Sequence, residues 1–207
     1  MKLIMVSPKN RTAYNFRGDL IREIIDCGYE VVVTGPNHEN VEKIEALGAR
    51  FVEIPMNKNG VDPFADLKYQ KALYELFCKE KPDVVFGYTS KPVIYGSIAA
   101  KKAGVRHIAA MVTGAGYAFT AQTAKARLIR MIQSVLYKKA FRCADVVIFQ
   151  NNDDRMQFVE MHLVNDHADR VRAAAESFYY DKIVCRRYCN DCFPKNIEQF
   201  FGYFNVA

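Results

Sequence analysis

Asp83-Val84-Val85-Phe86-Gly87-Tyr88-Thr89-Ser90-Lys91-Pro92 and His107-Ile108-Ala109-Ala110-Met111-Val112-Thr113-Gly114-Ala115-Gly116-Tyr117 are the two stretches that decide the fold. Each is a short apolar run that opens into a loop carrying hydroxyls, backbone donors and an aromatic ring. Apolar runs without polar alternation suit strands buried on both faces, as in a parallel sheet covered by helices. In such sheets ligands sit in the crevice beyond the carboxyl ends of the strands. Tyr88, Thr89 and Lys91 in the first loop, and Thr113, Gly114, Gly116 and Tyr117 in the second, are therefore candidate ligand-binding residues, in a setting that suits a polyol or a phosphate.

Outward from these two runs the same rhythm repeats. Leu3 to Val6, Glu30 to Thr34, Arg50 to Ile54 and Val146 to Phe149 are further strand candidates, with helical periods between them. Alternation of this kind predicts an α/β fold, a single Rossmann-like domain with a parallel sheet and helices on both faces. Phe16 to Cys27 places Leu20, Ile21, Ile24 and Ile25 on one stripe, and Gly28 supplies a left-handed stop. Pro63 to Lys81 opens with a favourable early proline and carries Leu67, Ala72, Leu73, Leu76 and Phe77. Pro92 to Ala103 closes at Gly104 in the same way.

The longest predicted helix covers Gln122 to Arg142. Leu128, Ile132, Val135 and Leu136 form its expected core face, while Arg127, Arg130, Ser134 and Lys138 recur on another. That second face reads either as solvated surface or as a docking face for an anionic membrane, with Tyr137 and Phe141 as interfacial anchors. Beyond Arg170 the rhythm breaks. Residues 1–172 are expected to form the domain and 173–207 an irregular C-terminal tail, since the latter shows neither a period of two nor one of 3.6.

Composition narrows the function classes. Of 207 residues, 50% are hydrophobic and 25% charged, enough for a soluble globular core. No run approaches the roughly 18 apolar residues of a membrane span, and Met1 to Val6 breaks at Ser7-Pro8, unlike a secretory signal, so a cytoplasmic protein is expected. The net charge of +6 is spread over predicted helices, which argues against nucleic acid as a partner. Cys27, Cys78 and Cys143 sit singly in helical patterns and read as small buried hydrophobes. Cys185, Cys189 and Cys192 have the spacing of an iron–sulfur ligand set, but too little chain follows them to complete such a site. His162 and His167, five apart, fall on different helix faces, so no metal is expected.

The loop after the first strand, Ser7-Pro8-Lys9-Asn10-Arg11-Thr12, stands where a dinucleotide-binding domain holds its glycine-rich turn. No glycine precedes Gly18, which makes a nicotinamide or flavin enzyme a poor fit. Lys9, Asn10, Arg11, Asn15 and Arg17 are candidates for holding an anionic or hydroxylated ligand; the alternative is a polar loop with a helix cap. No serine, cysteine or histidine lies in a nucleophile setting.

Several segments resemble the N-terminal half of family 4 glycosyltransferases of the GT-B architecture, of the bacterial capsule and surface-polysaccharide type. They are Met5-Val6-Ser7-Pro8 with Phe16-Arg17-Gly18-Asp19-Leu20-Ile21, Gly28-Tyr29-Glu30-Val31, Pro82-Asp83-Val84-Val85 with Tyr88-Thr89-Ser90-Lys91-Pro92, Val112-Thr113-Gly114-Ala115-Gly116-Tyr117-Ala118-Phe119, and Ala144-Asp145-Val146-Val147-Ile148-Phe149-Gln150-Asn151. The resemblance implies transfer of a sugar from a nucleotide-sugar donor to a glycan, often one carried on a polyprenyl diphosphate. It implies an acceptor-side domain here, with Gln150 and Asn151 joining the acceptor-binding candidates, and a peripheral position on the inner face of the cytoplasmic membrane through Arg127, Arg130 and Lys138. Three departures stand out. Lys9-Asn10 replaces the usual glycine pair of the first loop, Thr113-Gly114 takes the place of a histidine, and the second domain with its paired glutamates is missing. The resemblance therefore implies no cofactor in this chain, a donor site supplied by a separate chain or lost by truncation or a frame shift near Arg172, and inactivity alone. A noncatalytic α/β partner module and half of a nucleotide-sugar 2-epimerase are the alternatives.

Overall fold

The computed structural model describes residues 1–57, 62–116, 119, 121–164 and 171–173. Its strands are β1 (Lys2–Val6), β2 (Glu30–Gly35), β3 (Arg50–Glu53), β4 (Val84–Tyr88), β5 (His107–Val112), β6 (Val146–Phe149) and β7 (Val171–Ala173). The helices are α1 (Asn10–Asp26), α2 (Val41–Glu45), α3 (Pro63–Glu80), α4 (Ser97–Lys102), α5 (Ala124–Cys143) and α6 (Asn152–Glu160), with a π-helical turn, Pro92–Gly96, leading into α4. Among the described residues there are seven strands, all parallel, in the order β3-β2-β1-β4-β5-β6-β7. The predicted Rossmann-like sheet is present, and the order reverses between β1 and β4.

Register places Met5 beside Val33 and Phe86, and Phe86 beside Ala109. Successive strand residues point to opposite faces, so each strand feeds two cores. Leu3, Met5, Val31, Val33, Phe86 and Ile148 pack under α1 and α2 with Leu20, Ile21 and Ile24. Ile4, Val6, Val85, Val112 and Phe149 pack under α3, α4, α5 and α6 with Leu73, Phe77, Ala99, Tyr137 and Phe158. Ile21 and Ile24 are fully buried, each contributing about 1.5–3 kcal/mol of hydrophobic stabilisation. Gly28 and Gly104 adopt φ of +84° and +74°, as the left-handed stops require.

Several expectations are corrected. Helix α1 begins at Asn10, six residues before the predicted Phe16, so Asn10, Arg11, Asn15 and Arg17 are helical and only Ser7 to Lys9 form the loop. In α3, Leu67 is exposed and Tyr69 takes the core position, because Asp62 caps the helix at Phe64 and Ala65 and so sets its rotation. The largest correction concerns α5. Leu128, Ile132 and Val135 point outward, and Ala126, Tyr137, Ala140 and Phe141 face the sheet instead. The two alanines let the helix approach closely, and Tyr137 and Phe141 join Phe119, Phe149 and Phe158 in an aromatic cluster with ring centroids 5.1–6.4 Å apart. Neither ring is therefore an interfacial anchor.

Cys27 and Cys78 are exposed and Cys143 is half-buried, where small buried hydrophobes were expected. Past α6 the chain turns at residues 161–164 and then contributes β7, a seventh strand across the expected boundary at Arg172. Residues 174–207, with Cys185, Cys189 and Cys192, and His167 lie outside the described residues.

At the amino edge of the sheet, Glu80 accepts from Lys2 Nζ at 2.9 Å and from Arg50 at 2.6 Å, and Glu30 lies 3.3 Å from both cations. Hydrogen bonds from Lys2 and Arg50 hold the Glu80 carboxyl below the usual carboxylate range. A depressed folded-state pKa gives stability that is present above the unfolded pKa and is lost as pH falls through the folded one. Glu80→Gln should therefore lower stability by about 1 kcal/mol at neutral pH. The difference from the wild type should shrink as acid protonates Glu80, and urea titrations across that range measure it; a gap independent of pH would refute the ionic origin.

Candidate functional site

The carboxyl ends of β1 and β4 flank the point where the strand order reverses, which is where ligands bind in such sheets. There Ser7 Oγ and Tyr88 Oη are 2.5 Å apart, and Tyr88 Oη is 3.1 Å from Thr12 Oγ1. Ser7 Oγ also donates to the carbonyl of Lys9. Burial pushes the Tyr88 phenol above its ordinary range against the pull of these hydroxyls, so at neutral pH it is an uncharged link between β4 and the β1–α1 loop. Arg17 is buried with its guanidinium 5.2 Å from the Tyr88 ring centroid, and it donates to the Phe16 carbonyl and to Met111 Sδ.

An open cavity of about 810 Å³ lies beside this network, between the β1–α1 and β2–α2 loops. Lys9, Arg11, Asn15 and Tyr14 line one side, and Asn37, Glu39, Asn40 and Lys43 the other. Its floor is Asn10, which is buried and donates from Nδ2 to the carbonyls of Asn37 (2.8 Å) and Glu39 (2.6 Å), tying the two loops together. Gly35 permits this, since a Cβ there would collide with Asn10 Oδ1 and Phe51. Lys43 Nζ stands 5.1 Å from the Tyr14 ring centroid, a cation–π contact. Three cations against one carboxylate make the cavity suited to an anion, and its asparagines add hydroxyl-binding capacity.

The remaining predicted residues divide by what already holds them. Thr89 has φ of +68°, and its carbonyl accepts from Val93 N as the π-helical turn folds back on β4. Lys91 Nζ donates to Asp66 Oδ1 (2.5 Å) and to the Asn57 carbonyl (2.7 Å), and Tyr95 Oη donates to Asp66 Oδ2 (2.9 Å). Gly114 and Gly116 adopt φ of +141° and +75°, the backbone freedom the sequence asked of them. Between them the Ala115 N–H donates to Asp154 Oδ1, so that donor serves the fold. Asn151 caps α6, accepting from Asp154 N at 2.7 Å and donating to its carboxylate. Gln150 donates its backbone N–H to the Val112 carbonyl, Thr113 is half-buried at the end of β5, and Tyr117 lies outside the described residues.

The structure thus brings Lys9, Asn10, Arg11 and Asn15 to one cavity, and among the described residues its lining includes none from the β4 or β5 loops. Sequence reasoning missed Tyr14, Asn37, Glu39, Asn40 and Lys43. The signal was there: Gly35-Pro36-Asn37 is a turn at the carboxyl end of a strand adjacent to β1.

Fold and site together define a Rossmann-like α/β domain with an anion-suited cavity at its carboxyl edge. The chain belongs to the glycosyl transferase 4-like family, which it matches over residues 4–151. It is 29% identical over 154 residues to N,N'-diacetylbacillosaminyl-diphospho-undecaprenol alpha-1,3-N-acetylgalactosaminyltransferase of Campylobacter jejuni, a match covering 74% of this chain and 41% of the relative. It is 30% identical over 102 residues to UDP-Gal:alpha-D-GlcNAc-diphosphoundecaprenol alpha-1,3-galactosyltransferase of Escherichia coli, covering 49% and 25%. The chain spans less than half the length of either relative. Among solved structures, a glycosyltransferase from Rickettsia africae superposes with a TM-score of 0.57 at 15% identity, covering 91% of this chain and 48% of that one. A UDP-GlcNAc 2-epimerase from Methanocaldococcus jannaschii superposes with a TM-score of 0.60 at 16% identity, covering 85% and 47%. At these identities both show the fold alone.

Proposed function

We propose that this chain supplies the acceptor-side domain of a glycosyltransferase, which moves a sugar from a nucleotide-sugar donor to a glycan carried on a polyprenyl diphosphate. The observation that carries the reading is the cavity at the carboxyl edge, where Lys9, Arg11 and Lys43 stand ready for an anionic group and the asparagines for sugar hydroxyls. Both curated relatives are named for diphosphoundecaprenol-linked substrates, which supports the choice of acceptor. On this reading the nucleotide-sugar pocket belongs to a second domain. A lipid-linked acceptor places it peripherally at the inner face of the membrane; among the described residues no helix is long and apolar enough to cross one.

Calorimetric titration with a short-chain, water-soluble diphosphate-linked sugar tests this. Lys9→Ala with Arg11→Ala should weaken binding by about tenfold or more, as expected for losing charge-assisted hydrogen bonds. A nucleotide sugar should bind weakly to this chain. Tight nucleotide-sugar binding would contradict the assignment of the donor pocket, and absence of acceptor binding would favour a noncatalytic partner module.

A further inference from the structure

The cavity between the β1–α1 and β2–α2 loops holds charges of both signs that do not meet. Lys9, Arg11, Lys43 and Glu39 all line it, and among the described residues none of the four takes part in a salt bridge. Other charged candidates behave differently. Lys91 pairs with Asp66, the exposed Arg127 and Lys138 stand on α5, which has no Asp or Glu, and Arg130 donates to the Ala121 carbonyl.

The fold keeps the cavity charges apart. Glu39 and Lys43 are four residues apart, a spacing that pairs opposite charges within a helix. Asn40 interrupts it. Its φ of +55° leaves Glu39 outside α2, which starts at Val41, and the Lys43 ammonium lies 5.1 Å from the Tyr14 ring centroid instead. Glu39 is pinned through its backbone on both sides: its carbonyl accepts from Asn10 Nδ2 at 2.6 Å, and its N–H donates to Asn37 Oδ1 at 3.1 Å. The preceding His38 turns to β3, where its Nε2 lies 2.8 Å from the Glu53 carboxylate. Glu39 is left to the cavity.

A carboxylate on a fixed backbone is a handicap in a cavity that has only to hold an anion, because it repels what Lys9, Arg11 and Lys43 attract. Its use lies in the rest of the ligand. An ionised carboxylate accepts hydrogen bonds and gives none, so it fits hydroxyl donors and rejects a second carboxylate through like-charge repulsion. We propose that Glu39 determines which sugar the cavity takes: its carboxylate accepts from hydroxyls of the sugar joined to the diphosphate and excludes an acidic sugar. This rests on the acceptor-side reading above and deepens it by naming the class, a neutral sugar diphosphate rather than a uronic acid one. With the loop anchored before the ligand arrives, little conformational freedom is lost when these bonds form.

Calorimetric titration of the chain with butyl diphosphate, and with its glucosyl and glucuronyl esters, tests the assignment. The two sugars differ at a single carbon, hydroxymethyl against carboxylate. A cavity acting through net positive charge alone would prefer the glucuronyl ester. With Glu39 as the selector, the wild type should instead bind the glucosyl ester about tenfold or more tighter. Glu39→Gln keeps the side-chain shape and removes the charge. It should weaken the glucosyl ester about fivefold or more, tighten the glucuronyl ester, and bind sugar-free butyl diphosphate at least as tightly as the wild type does. The Glu39 side chain is exposed and its backbone bonds remain in the variant, so the thermal melt should not move. Equal tightening of all three ligands by Glu39→Gln would overturn the proposal, reducing the carboxylate to a part of the net charge. A magnesium requirement that Glu39→Gln abolishes would also overturn it, by assigning the carboxylate to a cation. Equal binding of both sugars by the wild type would overturn it too while leaving the acceptor-side reading intact, whereas failure of all three ligands to bind would remove both.

Discussion

Gly87→Ala is expected to destabilise the protein by about 2 kcal/mol and to lower Tm by about 4–8 °C. A Cβ at Gly87 would lie 2.9 Å from the Pro92 carbonyl oxygen and 3.1 Å from its carbon, both backbone atoms of the π-helical turn that folds back on β4. Backbone cannot step aside as a flexible side chain does. The turn is in addition held to Thr89 by the Val93 N–H at 3.0 Å, so the added methyl must push strand and turn apart. The small entropic gain of a Gly→Ala change in the unfolded chain does not offset this. Gly96→Ala is the control. Its Cβ would meet only Val6 side-chain carbons at 3.8 Å or beyond, an ordinary contact, in a helical segment that favours alanine. Thermal melts of the two variants should move apart; equal Tm values would mean that the turn is not seated on β4.

Asp66→Ala is expected to cost about 3 kcal/mol, because it strands Lys91 in a largely buried position and leaves the Tyr95 hydroxyl without its acceptor. The Asp66 and Lys91 side chains are 5% and 16% exposed, and Asp66 joins α3 to both Lys91 and Tyr95. Removing the whole polar group behaves differently. Asp66→Leu with Lys91→Met and Tyr95→Phe should recover most of the loss, since apolar replacements of a buried ion pair are often neutral. That variant also settles what Lys91 does. With its ammonium held by Asp66 and the Asn57 carbonyl, Lys91 is expected to act as a positioning residue, and acceptor binding by the triple variant should then stay within about threefold of wild type. A folded triple variant without acceptor binding would return Lys91 to the ligand.

The same distinction governs how much of the site the sequence reveals. Lys9, Arg11 and Asn15, which line the cavity, drew notice in the sequence because charged and amide side chains just after a strand have few structural uses. Asn10, Arg17, Tyr88, Lys91 and Asn151 belong to the same residue classes, yet the structure employs them in tying loops, stacking on a ring, linking strand to loop, pairing with Asp66 and capping α6. Nothing local separates the two groups. Asn10 and Asn37, or Lys91 and Asp66, are 27 and 25 residues apart, and only the folded chain shows them bonded.

By itself the sequence determined the parallel α/β fold, its strands from β1 to β6, the left-handed stops at Gly28 and Gly104 and the family resemblance. Those follow from apolar period and backbone restriction, which act over a few residues. Tertiary structure alone decided which of the two apolar faces of α5 is buried. Leu128, Ile132 and Val135 satisfy the helical period as well as Ala126, Tyr137, Ala140 and Phe141 do, but a helix packs on a sheet by volume as well as by hydrophobicity. The small alanines and the space offered by Phe119, Phe149 and Phe158 favour the second set, leaving the larger aliphatic stripe turned outward among cations.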